Sequence, residues 1–185
     1  AIAGFLWYQG ESDAYQSAEY KKLLKKMIEL WRRKFVYASS HNAPFVVMQL
    51  PNWANNKDEY ILEENCYWAE LRDAQAYVVE TTPNTALAVA IDAGEWNDLH
   101  PEKKLTCGTR AAMQALRLAY DYDYPTNPII KLIRWQKDSI TITFENVNKS
   151  LYVIDKDEGK VSGFTILYIQ DGKKHLMELK DVTLI

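Results

Sequence analysis

The sequence is poor in several residue types, and each shortage excludes a class of protein. Two cysteines, Cys66 and Cys107, are too few for a disulfide framework or a thiolate metal site, and we favour two separate thiols over one bridge. The 22 Lys and Arg residues are outnumbered by 25 Asp and Glu and form no basic block, unlike the charge pattern of a nucleic-acid-binding protein. No apolar run is long enough for a membrane span.

Histidine is scarce as well. Of the three histidines, His41 and His175 lie in polar segments, and only His100 follows a predicted buried strand. No second His or Cys lies at ligand spacing from His100, so we expect no bound metal and no other cofactor.

Tyrosine and tryptophan, by contrast, are abundant, with 12 and 6 residues in a chain of 185. The rest of the composition, 48% hydrophobic and 25% charged, is that of one globular domain or of one domain with a small appendage. Several of the rings lie in or beside predicted loops: Trp7, Tyr8, Trp53 and Trp96. Rings in loops stack on sugar faces or pack against the scaffold, and the sequence leaves both roles open.

Hydrophobic periodicity alternates between two types over the first 120 residues. Apolar runs predict buried strands, and apolar residues at steps of three and four predict helices. The strands are predicted at residues 2–8, 45–50 and 86–91, and the helices at 15–35, 67–80 and 101–120. We expect Ser17 to cap the first helix and Pro101 to lie in the first turn of the third. The inward face of the second helix is predicted to consist of Trp68, Leu71, Ala74, Gln75 and Val78.

This alternation of strands and helices predicts an α/β fold with a parallel sheet. Ligands bind beyond the carboxyl ends of the strands in such sheets, so the loops that follow the three strands are the candidate site walls. The polar and aromatic residues of these loops are Gln9, Gly10, Glu11, Asn52, Trp53, Asp98 and His100.

The tail of the chain has a different pattern. From about residue 129 the periodicity falls to two, and later strands flank the turn Asp171-Gly172, as in antiparallel hairpins. We therefore predict two domains, the first over residues 1–124 and a small β-rich module over residues 129–185.

Two loops carry residues suited to acyl chemistry. Asp98 lies two residues before His100 and could hold its ring in one tautomer, as a hydrolytic general base requires. The Gly10 N–H and the Gln9 carboxamide could donate to an oxyanion. The alternative for the loop that contains Gln9 and Gly10 is a tight turn in which Gln9 and Glu11 satisfy backbone groups.

Five ordered blocks within residues 4–120 resemble the sialate O-acetylesterase branch of the SGNH-hydrolase superfamily of carbohydrate esterases. The blocks are WYQGESDAYQSAEYKKLLKKMIELWRRKF, PFVVMQLPNW, WAELRDAQ, PNTALAVAIDAGEWNDLHP and GTRAAMQALRLAY. The resemblance implies a partial three-layer α/β/α sheet of the flavodoxin-like type, followed by a β module. It also implies hydrolysis of O-acetyl esters on sugars, with sialic acid as the name-giving substrate.

The resemblance assigns roles to individual residues. His100 would take the proton of a nucleophilic serine, with Asp98 as its orienting partner. Gln9 and Gly10 match the block that supplies oxyanion donors, and Glu11 supports that block. Asn52, Trp53 and Trp96 are candidate substrate-binding residues.

The nucleophile itself has no counterpart here. The family's serine block is absent, and Ser12 follows the oxyanion block without the context of a nucleophile elbow. We expect the serine upstream of these residues and expect this chain alone to be inactive. Pairing with that missing segment, or with a second copy, would cover an apolar sheet edge.

Two other functions remain open from the sequence. A non-catalytic carbohydrate-binding module could retain the shape of the site, and a structural, subunit-forming remnant could retain the fold. The resemblance implies a secreted or periplasmic protein, because its substrates are glycans. It does not identify the acetylated sugar or the position of the acetyl group.

Overall fold

The computed structural model describes residues 2–35, 42–53, 67–95, 97–151, 161, 164–179 and 181–183, with only the backbone at positions 174, 176 and 178. Within these residues the chain divides into two compact units, one ending at Asn127 and the other beginning at Pro128. That boundary falls between residues 124 and 129, where the sequence predicts the first domain to end and the second to begin. The division into these two domains stays a prediction.

The first unit contains a parallel sheet of three strands in the order β1, β2, β3. These strands are β1 (Phe5–Trp7), β2 (Phe45–Met48) and β3 (Thr85–Ala88). The α/β class and the parallel sheet predicted from the sequence are confirmed. Each strand is shorter than its apolar run, since residues 2–4 and 8, 49–50 and 89–91 lie outside the ladders of β1, β2 and β3.

The central strand β2 is buried on both faces, and its side chains alternate between two clusters. Phe45 and Val47 pack with residues of the first two helices. Val46 and Met48 pack with Cys107 and its neighbours on the third helix. Helices therefore cover both faces of the sheet.

The helices are α1 (Ser17–Lys34), α2 (Tyr67–Glu80) and α3 (Lys104–Tyr120), and a 3-10 helix (Glu11–Gln16) leads directly into α1. The buried residues of α2 are those predicted from the sequence: Trp68, Leu71, Ala74, Gln75 and Val78. None of the helices in the described part of the chain has both the length and the apolarity to cross a membrane.

Two predictions about helix starts are wrong. Ser17 is not a cap, because the preceding 3-10 helix makes Gln16 the cap position, and the Ser17 hydroxyl donates to Glu70 instead, at 3.4 Å. Pro101 is not in the first turn of α3, which begins at Lys104. Pro101 belongs to the loop, where the next N–H, that of Glu102, donates to the Glu95 carboxylate.

The second unit consists of two antiparallel hairpins. Strand β4 (Ile129–Trp135) pairs with β5 (Ile140–Glu145), and β6 (Thr165–Gln170) pairs with β7 (Lys173–Glu178). Asp171 and Gly172 join β6 to β7 with φ of 51° and 74°, and two positive φ values are typical of a tight hairpin turn.

Candidate active site

The three loops expected to form the site lie at one edge of the sheet, because all three strands run in the same direction. Backbone bonds continue past the ends of β2 and β3. The Gln49 N–H donates to the carbonyl of Ala88 at 2.9 Å, and the Asn52 N–H donates to that of Ile91 at 3.3 Å. The second and third loops therefore run side by side beyond the sheet.

The first loop makes a tight turn at Gly10, which is buried and has φ of 152°. A Cβ there would lie 2.8 Å from Cδ2 of Leu71, so only glycine fits. The Gly10 N–H donates to Oε2 of Glu11 at 2.8 Å, and Nε2 of Gln9 donates to Oδ2 of Asp13 at 2.8 Å. Both candidate oxyanion donors thus have internal acceptors, which an ester oxygen would have to displace.

The carbonyl of Gln9 is held from within the core. It accepts a hydrogen bond of 2.8 Å from the Tyr20 hydroxyl and one of 3.2 Å from Nε2 of Gln75. Gln75 is completely buried, and its Oε1 accepts the N–H of Leu50 at 2.9 Å. Sequence reasoning placed Gln75 on the inward face of α2 but missed this role. The sequence did carry a signal for this role, because Gln75 is an amide among otherwise apolar inward residues of α2.

In the second loop, Asn52 and Trp53 make contacts within the scaffold. Oδ1 of Asn52 accepts the N–H of Gly94 from the third loop at 3.1 Å. The ring of Trp53 packs 5.0 Å from that of Trp68, whose Nε1 donates to the Pro51 carbonyl at 2.7 Å. These contacts fix the loop, and substrate binding by Asn52 and Trp53 stays a prediction. Trp96 lies outside the described residues, as does Cys66.

The third loop carries Asp98 and His100. Oδ1 of Asp98 accepts the backbone N–H of His100 at 2.7 Å, which is an Asx turn. The same oxygen lies 3.8 Å from Nδ1 of the His100 ring, too far for a hydrogen bond but within ion-pair distance. Leu99 packs against the same core cluster as Tyr8 and Trp53, while the His100 side chain is 85% exposed. The pair is therefore anchored at the sheet edge with its imidazole in solvent.

The start of this loop is tied to α3 by an ion pair. Arg110 donates from Nη2 to Oδ2 of Asp92 at 2.8 Å and from Nη1 to the Val89 carbonyl at 2.9 Å. The Lys103 ammonium donates to the Asp92 carbonyl at 3.2 Å. The hydrogen bond from Arg110 is the main cause that lowers the pKa of Asp92. We therefore assign Asp92 to anchoring of this loop.

Other titratable and nucleophilic groups near this edge are less suited to chemistry. Burial raises the pKa of Tyr8 to about 12, so its phenol stays protonated at neutral pH and cannot act as a base. Ser12 is exposed within the 3-10 helix. Cys107 is a free, buried thiol on the opposite face of the sheet from α1 and α2. Among the described residues, no three His, Cys, Asp or Glu side chains form a group that could hold a metal.

Comparison with known proteins supplies independent information. A family model described as "Carbohydrate esterase, sialic acid-specific acetylesterase" matches residues 1–117. The chain is 33% identical over 129 residues to a sialate O-acetylesterase of Mus musculus, which covers 64% of this chain and 24% of the mouse protein.

A solved structure matches almost the whole chain. The crystal structure of a carbohydrate acetylesterase from Xanthomonas citri superimposes with a TM-score of 0.77 at 26% identity, over 99% of this chain and 43% of that one. The chain thus spans about a quarter of the length of the mouse protein and less than half of the bacterial chain.

Proposed function

Because this chain belongs to the sialic acid-specific acetylesterase family of carbohydrate esterases, as its sequence blocks predicted, we propose that it provides the acid–base half of an enzyme that removes O-acetyl groups from sugars. The observation that carries the proposal is the position of His100. Its imidazole is exposed beside the Asp98 carboxylate, on the loop that follows β3, at the same sheet edge as the Gln9–Gly10 turn.

His100 is the proton acceptor in the proposed reaction. A serine oxygen attacks the acetyl carbonyl while Nε2 of His100 takes its proton, and the ring returns that proton to the departing sugar oxygen. Water then cleaves the acetyl-enzyme by the same proton transfers and releases acetate. Asp98 holds Nδ1 of the ring, for which a small rotation must shorten the present separation of 3.8 Å.

The Gln9–Gly10 turn is the proposed oxyanion site. Its two donors point to carboxylates of this chain, Glu11 and Asp13, so donor geometry for a negatively charged oxygen is already present. One such donor is worth about 3–4 kcal/mol in the transition state. Displacing Glu11 from the Gly10 N–H is the rearrangement that substrate binding requires.

The serine is proposed to lie outside residues 1–185, since Ser12 is part of the 3-10 helix rather than of a strand-to-helix elbow. The acetylated sugar and the rest of the enzyme are then the partners of this chain. Secretion or a periplasmic location is part of the same proposal, because acetylated glycans are found there.

The test compares two single histidine changes in the protein completed with the serine-bearing segment. Replacing His100 with alanine should lower the rate of acetate release from an O-acetylated sialic acid by about 10²- to 10⁴-fold, the contribution of a general base. His175→Ala is the matched control, because His175 is also exposed but lies on β7 in the second unit. Equal rates for the His100 variant and the unsubstituted protein would rule out the assignment.

A non-catalytic sugar-binding role is the second candidate, favoured by one observation. Both candidate oxyanion donors are occupied by side chains of the chain itself. A binder would take up glycans without releasing acetate, even with the serine-bearing segment present. Acetate release that depends on His100 would exclude this role.

A further inference from the structure

The peptide unit between Gln9 and Gly10 is oriented by two side chains from different helices. The Tyr20 hydroxyl of α1 and the Gln75 amide of α2 both donate to the Gln9 carbonyl, at 2.8 and 3.2 Å. A trans peptide is planar, so its N–H points opposite to its carbonyl. Fixing the Gln9 oxygen toward the core therefore fixes the Gly10 N–H in the opposite direction, where it meets the Glu11 carboxylate at 2.8 Å.

Gln75 also connects this peptide to the neighbouring strand. Its Oε1 accepts the Leu50 N–H at 2.9 Å, and its Nε2 lies 3.4 Å from the carbonyl of Met48. One fully buried amide thus contacts backbone groups of both the first and the second loop. A buried amide is costly unless its donors and acceptor are satisfied, and here its backbone partners are Gln9 of the first loop, Leu50 of the second loop and Met48 at the end of β2.

Tyr20 is held in turn by Trp7. The indole Nε1 of Trp7 donates to the Tyr20 oxygen at 3.3 Å, so the hydroxyl hydrogen remains available for the Gln9 carbonyl. Burial raises the pKa of Tyr20, which keeps the phenol protonated and able to donate. The geometry leaves no room for a side chain at the turn, because a Cβ on Gly10 would lie 3.4 Å from both Nε2 of Gln75 and the Tyr20 oxygen and 2.8 Å from Leu71.

We propose that Gln75 and Tyr20 are positioning residues that orient the Gln9–Gly10 peptide so that the Gly10 N–H faces the reacting oxygen. The proposal rests on the esterase function proposed above for the kinetic half of its test. Neither residue touches substrate, and both act through the peptide plane. Without them the peptide is free to rotate, and the N–H no longer points toward the site.

The first measurement is hydrogen exchange of this chain, which needs no activity. Gln75→Met and Tyr20→Phe should each make the amides of residues 9–13 exchange faster than in the unsubstituted chain. Gln114→Met is the matched control, because Gln114 is also a buried amide but donates to the Pro125 carbonyl at 3.3 Å, away from the turn. Tyr20→Phe removes one hydroxyl only, so it keeps the test valid if Gln75→Met does not fold.

The second measurement is acetate release by the protein completed with the serine-bearing segment. Both positioning variants should lower kcat by about 10- to 100-fold and leave KM unchanged, since they misplace a donor without removing a sugar contact. Exchange at residues 9–13 that stays as in the unsubstituted chain would overturn the proposal, as would an equal loss of kcat in Gln114→Met. If the unsubstituted protein releases no acetate, the esterase function fails, and the exchange measurement alone decides whether these residues orient the peptide.

Discussion

Single residues decide how closely the loops of the site approach one another. Gly94, on the loop after β3, donates its N–H to Oδ1 of Asn52 at 3.1 Å. A Cβ at Gly94 would collide with the Asn52 carbonyl and would lie 2.8 Å from both Oδ1 of Asn52 and Cβ of Pro51. The close contact is thus between backbones, and backbone atoms cannot move aside as a flexible side chain can.

Alanine at position 94 should therefore lower the free energy of unfolding by about 1–3 kcal/mol, as measured by urea denaturation. Gly108→Ala is the matched control, because Gly108 lies within α3 and an added Cβ would meet no atom within 4 Å. That change should stabilise the chain by about 0.5–1 kcal/mol, since alanine favours a helix over glycine. Equal stabilities for the two variants would contradict the close approach described for Gly94.

The candidate site could be predicted from the sequence only at the level of which residues share an edge. The loops with Gln9, Asn52 and His100 follow three strands of a parallel sheet, and that rule alone brings them to one edge. The partners of these residues could not be predicted. The Gln9 carbonyl accepts a hydrogen bond from Gln75, which lies 66 positions later. Such a pairing depends on how α2 packs over the strands.

At the scale of elements, periodicity predicts the buried face of a helix well. It predicts helix ends poorly, because these depend on side-chain contacts. All five inward residues of α2 follow from steps of three and four. On α1, periodicity does not predict that Arg32 is buried, because an arginine is rarely buried without partners. The start of α3 was misjudged because Pro101 fits a helix start equally well in isolation.

Arg32 joins α1 to the amino ends of two strands. Its Nε donates to the carbonyl of Ala43, before β2, and its Nη2 to that of Asn84, before β3, each at 2.9 Å. Methionine at position 32 should lower the free energy of unfolding by about 2–4 kcal/mol, because two carbonyls lose a charged donor.

The matched control for this change is Arg33→Met, since Arg33 is the neighbouring residue and is exposed. Its effect on urea denaturation should stay within about 0.5 kcal/mol. Similar losses for both variants would mean that the hydrogen bonds of Arg32 do not hold the helix to the strands.

At the scale of the whole molecule, many large apolar side chains among the described residues are exposed. All seven residues of β4 are exposed, and Trp135 at its end is 63% exposed. In the first unit, Leu6 on the outer strand β1 of the described sheet is 53% exposed. Apolar strands in contact with water favour association with another polypeptide.

Sedimentation velocity should therefore show concentration-dependent association of this chain on its own. Replacing Leu132 and Ile133 together with lysine should shift the distribution toward monomer, since adjacent strand residues lie on opposite faces. Arg134→Gln, also on β4 and exposed, is the control and should leave the distribution unchanged. A single monomeric species at every concentration of the unsubstituted chain would contradict this expectation.

The bond between Asn52 and Gly94 has a consequence for protein engineering. It makes the second and third loops one cassette, with the Asn52 N–H bonded to Ile91 and its side chain bonded to Gly94. Grafting the segment around His100 onto another scaffold would leave its backbone unsupported unless residues 49–53 are transplanted with it. Libraries that vary these loops should accordingly change the two segments jointly and hold Asn52 and Gly94 constant.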